Sequence, residues 1–332
     1  MSYAVVIPTV GRESLPALLA ALAEGPGPLP DQIVVVNDRS DQPIAASPPE
    51  PVAGVLKVLD GPGRGPAAAR NVGWRVTRSD WVVFLDDDVV PGPHWREELA
   101  RDLAGAGPAA GVQGQIVVPL PRDRRPTDWE RQVAGLADGR WITADMAYRR
   151  DALIAAGGFD ERFPRAYRED VDLALRVAGL GGELRLGRRH CLHPVRPAPP
   201  WVSVSRQRGN ADDALLRRRY GPQWRQLAGL PPGRRPGHAA ITIAGLTALT
   251  GMTLRRRRLT LVAAAVWLAG TAEFAARRIA PGPANAGEVA LMAGTSVLIP
   301  PLAVWHWLRG WISSRDVARC PAVALPDLGG DA

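Results

Sequence analysis

The chain opens with short apolar runs separated by polar turns. Residues 3–7 are apolar and end at Pro8, and a Leu- and Ala-rich stretch follows from Leu15 to Leu22. That order predicts strand, loop and helix. Ile33-Val34-Val35-Val36 predicts a second buried strand, ending in the polar turn Asn37-Asp38-Arg39-Ser40. Residues 55–59 predict a third, and Pro66 to Val76 is compatible with a helix. Trp81-Val82-Val83-Phe84-Leu85 predicts a fourth, running directly into three aspartates. Apolar strands alternating with helices predict a parallel, helix-covered α/β sheet. Polar residues gathered just past strand ends are where such sheets bind ligands.

Beyond Pro93 the pattern loosens. Residues 112–118 and 141–148 read as strands flanking a mobile, Pro- and Arg-rich loop at 119–131. Asp170 to Ala178 predicts a helix, residues 183–186 a strand, and Val204 to Arg219 a further helix. The proline-rich stretch 194–200 marks the edge of the compact domain. From about residue 238 the composition shifts to apolar segments at 239–254, 259–276 and 289–311, punctuated by Arg255 to Arg258 and by Arg277-Arg278. The expected organisation is a catalytic domain over 1–225, a Pro/Arg-rich linker over 226–238, a hydrophobic helical region over 239–312 and a polar tail over 313–332. A bilayer-spanning helix needs ~20 apolar residues. Segment 289–311 is long enough and 259–276 is borderline. Segment 239–254 reads as an interfacial or packed helix with its arginines near anionic lipid. A soluble all-helical subdomain is the alternative. Arginines 255–258 favour the cytosolic side.

Composition narrows the classes. Of 332 residues, 46% are hydrophobic and 22% charged, as in a folded protein rather than a disordered one. The net charge of +8 comes almost wholly from arginine, since Lys57 is the only lysine. It suits nucleotide diphosphates or acidic lipid headgroups. The arginines are dispersed and lack an aromatic stacking platform, which argues against nucleic acid. Cys191 and Cys320 are far apart, fitting a reducing compartment and neither a disulfide framework nor a zinc ribbon. The first residues lack the pattern of a secretory signal, so the catalytic part is expected in the cytosol, at the cytoplasmic face of the membrane.

The strongest chemical signal is Asp86-Asp87-Asp88 at a strand end. Adjacent carboxylates repel unless a cation neutralises them. Mg²⁺ or Mn²⁺ takes carboxylate oxygens and shares phosphate oxygens with a substrate, stabilising a departing diphosphate.

Over roughly residues 3–220 the chain resembles the family 2 glycosyltransferases, with their GT-A fold and usual inversion of the sugar's anomeric centre. The resemblance opens at Val6-Ile7-Pro8-Thr9 and continues at Asn37-Asp38-Arg39-Ser40, similar to the family's Asp-Asp-Gly-Ser turn. It implies that Asp38 contacts the nucleoside base, although Asn37 and Arg39 replace an acid and a glycine. Gly65-Pro66-Ala67-Ala68-Ala69-Arg70-Asn71-Val72-Gly73 resembles the stretch that lies against the nucleotide-sugar. Pro8, Thr9, Asp38, Arg70, Asn71, Asp86 and Asp87 are thereby implied on the donor side. Asp86 and Asp88 match the ends of the DxD motif, implying metal at Asp88 with Asp86 helping. Gly157-Gly158-Phe159-Asp160-Glu161 resembles the glycine-rich turn before the catalytic acid.

Glu169-Asp170-Val171-Asp172-Leu173 then matches the Glu-Asp-x-Asp-Leu motif, with Asp170 as general base. Glu169 and Asp172 are expected on the acceptor side. Asp172 cannot share Asp170's helix face and is suited to orienting the helix or binding an arginine. His193 is the expected third metal ligand, with His190 the alternative. Arg12, Arg64 and Arg70 are candidate phosphate partners, and Trp201, Arg206, Arg208 and Asn210 a candidate loop over the donor. The resulting expectation is sugar transfer from a nucleotide-diphosphate donor to a lipid-linked or cell-envelope glycan. Rival readings are a sugar nucleotidyltransferase and an inactive membrane-associated scaffold.

Overall fold

The computed structural model describes residues 1–320 except Ser40, Pro43 and residues 45–47, together with Val323 and Leu325. Ser40 of the polar turn and most of the tail after residue 320 lie outside the described residues. The elements run β1 (Tyr3–Thr9), α1 (Leu15–Ala23), β2 (Gln32–Asn37), β3 (Leu56–Asp60), α2 (Pro66–Val76), β4 (Trp81–Leu85), β5 (Val90–Pro91) and α3 (Trp95–Ala104). Next come β6 (Gly111–Val117), α4 (Asp128–Ala134), β7 (Asp145–Arg149), α5 (Arg150–Ala156), α6 (Glu169–Gly179) and β8 (Leu184–Leu192). The last are α7 (Val202–Ser205), α8 (Asn210–Tyr220), α9 (Trp224–Leu227), α10 (Arg235–Thr253), α11 (Arg257–Ile279) and α12 (Ala286–Ser313).

The strands form one sheet in the order β3-β2-β1-β4-β7-β6-β8-β5. The first four are mutually parallel, as are β6 and β8, whereas β7 runs antiparallel between β4 and β6, and β5 antiparallel to β8. The sheet is therefore mixed and mostly parallel. Successive side chains of a strand point to opposite faces. Val6, Val34, Val36, Val82 and Phe84 pack with Ala67 and Trp74 of α2 and Leu173 of α6. Val5, Ile7, Ile33, Val35, Val83 and Leu85 pack with Leu18 and Leu19 of α1 and Leu99 of α3. Both faces are covered, which is why these strands read as unbroken apolar runs.

Several boundaries differ from the sequence expectation. Part of the 119–131 segment is helical, because Thr127 and Glu130 form a reciprocal capping box that starts α4. Strand β7 begins only at Asp145, since Trp141, fully buried, has a left-handed φ of 63°. The helix expected over 204–219 is split into α7, a 3₁₀ turn and α8. The core does not close at the proline-rich stretch. Leu215, Leu216, Tyr220, Trp224 and Ala228 join the cluster of α2 and α6, carrying it past residue 225. Helix α10 already begins at Arg235, inside the expected linker.

The C-terminal helices pack on one another and α12 packs on α8. Gly310 permits that approach, since a Cβ there would lie 2.5 Å from the Ala211 backbone. Arg278, near the end of α11, is buried. It donates to Asp128 Oδ2 (2.9 Å), Thr295 Oγ1 (2.8 Å), Ser296 Oγ (3.0 Å) and Ser203 Oγ (3.2 Å). The Asp128 amide in turn donates to Glu288 of α12 at 2.9 Å. By length and composition alone, α11 and α12 are long and apolar enough to cross a membrane, at mean hydropathy 1.6 and 1.5. Leu261, Val262 and Leu268 of α11 and Val297 and Leu298 of α12 are exposed.

Candidate active site

The carboxyl ends of β1, β2 and β4 carry Thr9, Asn37-Asp38 and Asp86-Asp87-Asp88 to one edge of the sheet. They open on a cleft of about 470 Å³, walled opposite by Trp129, Val133 and Leu136 around α4 and by Arg196 and Arg206.

Each member of the acidic run has its own arginine. Asp86 accepts from Arg70 at 2.6 Å. Asp87 is almost wholly buried, accepting from Thr9 Oγ1 at 2.6 Å and pairing with Arg12. It therefore ties the end of β4 to the end of β1. Asp88 pairs with Arg196 at 2.7 Å and lies 3.6 Å from His193 Nε2. Burial, then the neighbouring Asp86, pushes the Asp88 carboxyl above its ordinary range, against the pull of His193 and Arg196.

Among the described residues no three His, Cys, Asp or Glu side chains form a preassembled metal cluster. Asp88 and His193 nevertheless fit a hard divalent ion as a pair. Oxygen and imidazole donors lie side by side, a cation would relieve the buried negative charge, and His193 Nδ1 is buried without a protein partner among the described residues. His190, the alternative ligand, sits 3.6 Å from Glu98 of α3 and does not line the cleft.

Asp38 and Asn37 divide the work of the second turn. Asp38 accepts from the amides of Gly63 (2.9 Å) and Gly65 (2.7 Å), holding the glycine loop that enters α2. Gly65 has φ 97°, and a Cβ there would lie 2.3 Å from the Pro164 carbonyl oxygen, so only glycine fits. Asn37 is buried. Its Oδ1 accepts from the Arg39 amide and its Nδ2 donates to the Gln42 carbonyl, so the asparagine shapes its own turn.

Asn71 does not face the cleft, contrary to the donor-side expectation. Its Nδ2 donates to Phe159 O and Glu161 Oε1, and its Oδ1 accepts from Trp74 Nε1 and the Phe159 amide. All four hydrogen-bonding positions are thus used inward, fastening the Gly157-Gly158-Phe159 turn to α2.

Helix α6 presents its three acids differently. It starts after Arg168, whose φ of 79° makes a sharp entry. Asp170 is half-buried and accepts from the Val171 amide at 2.7 Å. Burial raises its pKa above the carboxylate range. The Val171 amide, Arg168 and Arg70 oppose the shift, and Asp86 adds to it. Glu169 is buried and accepts from Arg70 at 2.8 Å. Burial, reinforced by Asp170, pushes it up to about 8 against the pull of Arg70. Asp172 is fully buried, bound to Arg176 (2.9 Å), Tyr220 (3.0 Å) and Arg219. Glu169, Asp170 and Asp172 are all absent from the residues lining the cleft; Glu169 and Asp172 are buried against arginines, contrary to the acceptor-side expectation, whereas Asp170 is half-buried at the start of the helix. Glu169 and Asp172 both stand in the first turn of α6 and face arginines rather than solvent.

The remaining arginines sort by partner. Arg12 is committed to Asp87, and Arg64 to Glu161 at 2.7 Å. Arg206 lines the cleft with its guanidinium 5.4 Å from the Trp129 ring centre, and burial lowers its pKa. Trp201 is exposed, and Asn210 lines a different cavity. Arg196 and Trp129 were not anticipated from sequence. Trp129 Nε1 donates to the Arg196 carbonyl at 2.7 Å, locking two walls of the cleft together.

Residues 4–158 match the family model for Glycosyl transferase family 2. This segment is a family 2 glycosyltransferase domain. The match stops before α6, so Asp170 rests on its motif and its geometry. The pre-mycofactocin glycosyltransferases of Mycobacterium tuberculosis strains CDC 1551 / Oshkosh and H37Rv (ATCC 25618) are 30% identical over 169 residues, 46% of this chain. The chain spans 35% of the length of these curated relatives. Among solved structures, GalNAc-T7 with UDP, GalNAc and Mn²⁺ aligns at 16% identity over 68% of this chain and 50% of its own, with a TM-score of 0.48. The mannosyltransferase PcManGT of Pyrobaculum calidifontis, with GDP-Man and Mn²⁺, aligns at 18% identity over 94% and 85%, with a TM-score of 0.44.

Proposed function

We propose that this chain transfers a sugar from a nucleoside-diphosphate donor to an acceptor hydroxyl, inverting the anomeric centre. The observation that carries the reading is Arg70, which binds Asp86 of the acidic run with one nitrogen and Glu169, next to Asp170, with the other. It supports a site in which one side chain of the cleft wall holds the donor-side acidic run against the start of α6, where Asp170 stands. Asp38 and the glycine loop hold the nucleoside end. Asp88 and His193, helped by Asp86, hold a divalent ion, which when bound supplies Lewis-acid neutralisation of the leaving diphosphate. The Asp170 carboxylate takes the acceptor proton as its oxygen attacks the anomeric carbon and the diphosphate departs. Its raised pKa makes it a stronger base than an exposed aspartate.

The exposed apolar faces of α11 and α12 support an acceptor met at a membrane, a lipid-linked or cell-envelope glycan, with the catalytic domain on the cytoplasmic face.

Thermal unfolding with a panel of nucleoside diphosphates and their sugars, with and without Mn²⁺, tests the reading. Stabilisation by one nucleotide that needs metal and is lost in Asp88→Ala supports it. A folded protein that no nucleotide stabilises speaks for an inactive scaffold. Pyrophosphate release from a nucleoside triphosphate and a sugar phosphate speaks for a nucleotidyltransferase.

A further inference from the structure

A second cavity, of about 550 Å³, opens where α8 and α9 meet α10 and α12. It falls in the size range of small-ligand sites and shares no lining residue with the donor cleft. Arg217, Arg225, Arg234 and Arg235 converge on it, between walls that include Trp224 and Trp307.

Their counter-charge is thin. Asp213 is the single carboxylate lining the cavity, and it is shared between Arg225 and Arg168, the latter at 2.9 Å. Arg234 reaches Glu273 only at 3.6 Å, and Glu273 already pairs with Arg277. Arg217 donates to the Pro222 carbonyl at 3.4 Å, and Arg235 lies 4.6 Å from the Trp307 ring centre. Neither has a carboxylate partner among the described residues. Burial chiefly, with Arg217 and Arg225 adding and Asp213 opposing, pulls Arg235 below its usual range. Helix α10 begins at the cavity wall without a side-chain cap, so its positive end adds to the field.

We infer that this cavity binds a net-anionic phosphate group, with Arg217 and Arg235 as its principal ligands. Guanidinium forks match phosphate oxygens bidentately, and a bound anion relieves the repulsion among the four arginines. The helices α10 and α12 that supply part of the cavity wall also carry exposed apolar side chains, Ile243, Leu246 and Trp305. A basic pocket beside such helices, walled by tryptophan, suits a lipid headgroup. Free phosphate or diphosphate offers the same chemistry from solution.

The test uses the full chain and an Arg217→Gln/Arg235→Gln double variant, in detergent with EDTA so that metal-dependent binding in the donor cleft is silent. Thermal unfolding is followed against short-chain phosphatidylglycerol, short-chain phosphatidylcholine and inorganic pyrophosphate. The expected result is a rise in midpoint with phosphatidylglycerol but not with phosphatidylcholine, and about a tenfold weaker response in the double variant. If pyrophosphate acts on the wild type alone, the site takes phosphate from solution. If only phosphatidylglycerol does, it takes a headgroup. Equal responses of both proteins to every probe, or no response from either, overturn the inference. Retention of the metal-dependent nucleotide shift in the variant shows that it is folded and keeps this outcome separate from failure of the transferase reading.

Discussion

Arg70 and Glu169, 99 residues apart in sequence, meet at 2.8 Å with almost no solvent on either side chain. The same guanidinium holds Asp86 at 2.6 Å, so one side chain of α2 sets how far the acidic run stands from the start of α6. A guanidinium presents two nitrogens in a fixed planar fork for this, which an ammonium lacks. The buried pair is also strained electrostatically, because desolvation favours the neutral acid.

That strain predicts a pH dependence. Glu169 titrates near 4.5 when unfolded and is pushed up to about 8 in the fold. Between those values the folded chain keeps a proton that the unfolded chain releases. Stability in EDTA should therefore fall as pH rises across this window, by up to about 1.4 kcal/mol per unit. Denaturant midpoints at pH 5 and pH 8 check it. Glu169→Gln should flatten the slope, and an unchanged slope in that variant would assign the titration elsewhere.

Asp170→Asn keeps the shape of the side chain and removes the base. Transfer should drop by about 10²–10⁴ while the nucleotide-dependent thermal shift stays near wild type. A variant that loses donor binding instead would move Asp170 from the acceptor to the donor.

Arg196 stands on Asp88, at 2.7 Å, where a cation would bind. On the proposed reading it would compete with a metal ion in the donor-free protein. Arg196→Ala should tighten Mn²⁺ binding, measured by calorimetry without nucleotide, and should have no such effect in the Asp88→Ala background. Weaker Mn²⁺ binding in the single variant would show that Arg196 supports the ion rather than displacing it.

Arg278→Met would remove the nearer ion-pair partner of the buried Asp128 carboxylate, at 2.9 Å, and leave only Arg131 at 3.6 Å. Breaking a buried pair outright costs ~3–5 kcal/mol, so with Arg131 still nearby the loss should fall below that range, and removing both charges should cost less. Unfolding of Arg278→Met beside an Asp128→Asn/Arg278→Met double variant measures this; a double variant weaker than the single would contradict the pairing.

The parts of the fold legible in the sequence were those with one strong pattern. β1, β2 and β4 are buried on both faces and announce themselves as apolar runs, and the acidic run at the end of β4 follows from where such strands bind ligands. Residues whose meaning depends on distant partners were not legible. Asn71 carries the expected motif, yet its four hydrogen bonds go to Trp74, Phe159 and Glu161, the last two supplied 88 and 90 residues later. Arg196 is one arginine among many until the chain sets it on Asp88. The start of α4 is marked in the sequence by Thr127 and Glu130 at capping-box spacing, a local signal set within a stretch dominated by Pro and Arg.

Helix α4 has two obligations at once. Asp128 is held by Arg278 of α11, and by Glu288 of α12 through its amide, while Trp129, the next residue, forms the rim of the cleft. The anchor and the rim are consequently connected in series. Any tilt of α11 or α12 against the sheet must be absorbed within about one turn of helix, or be passed on as a change in the width of the entrance.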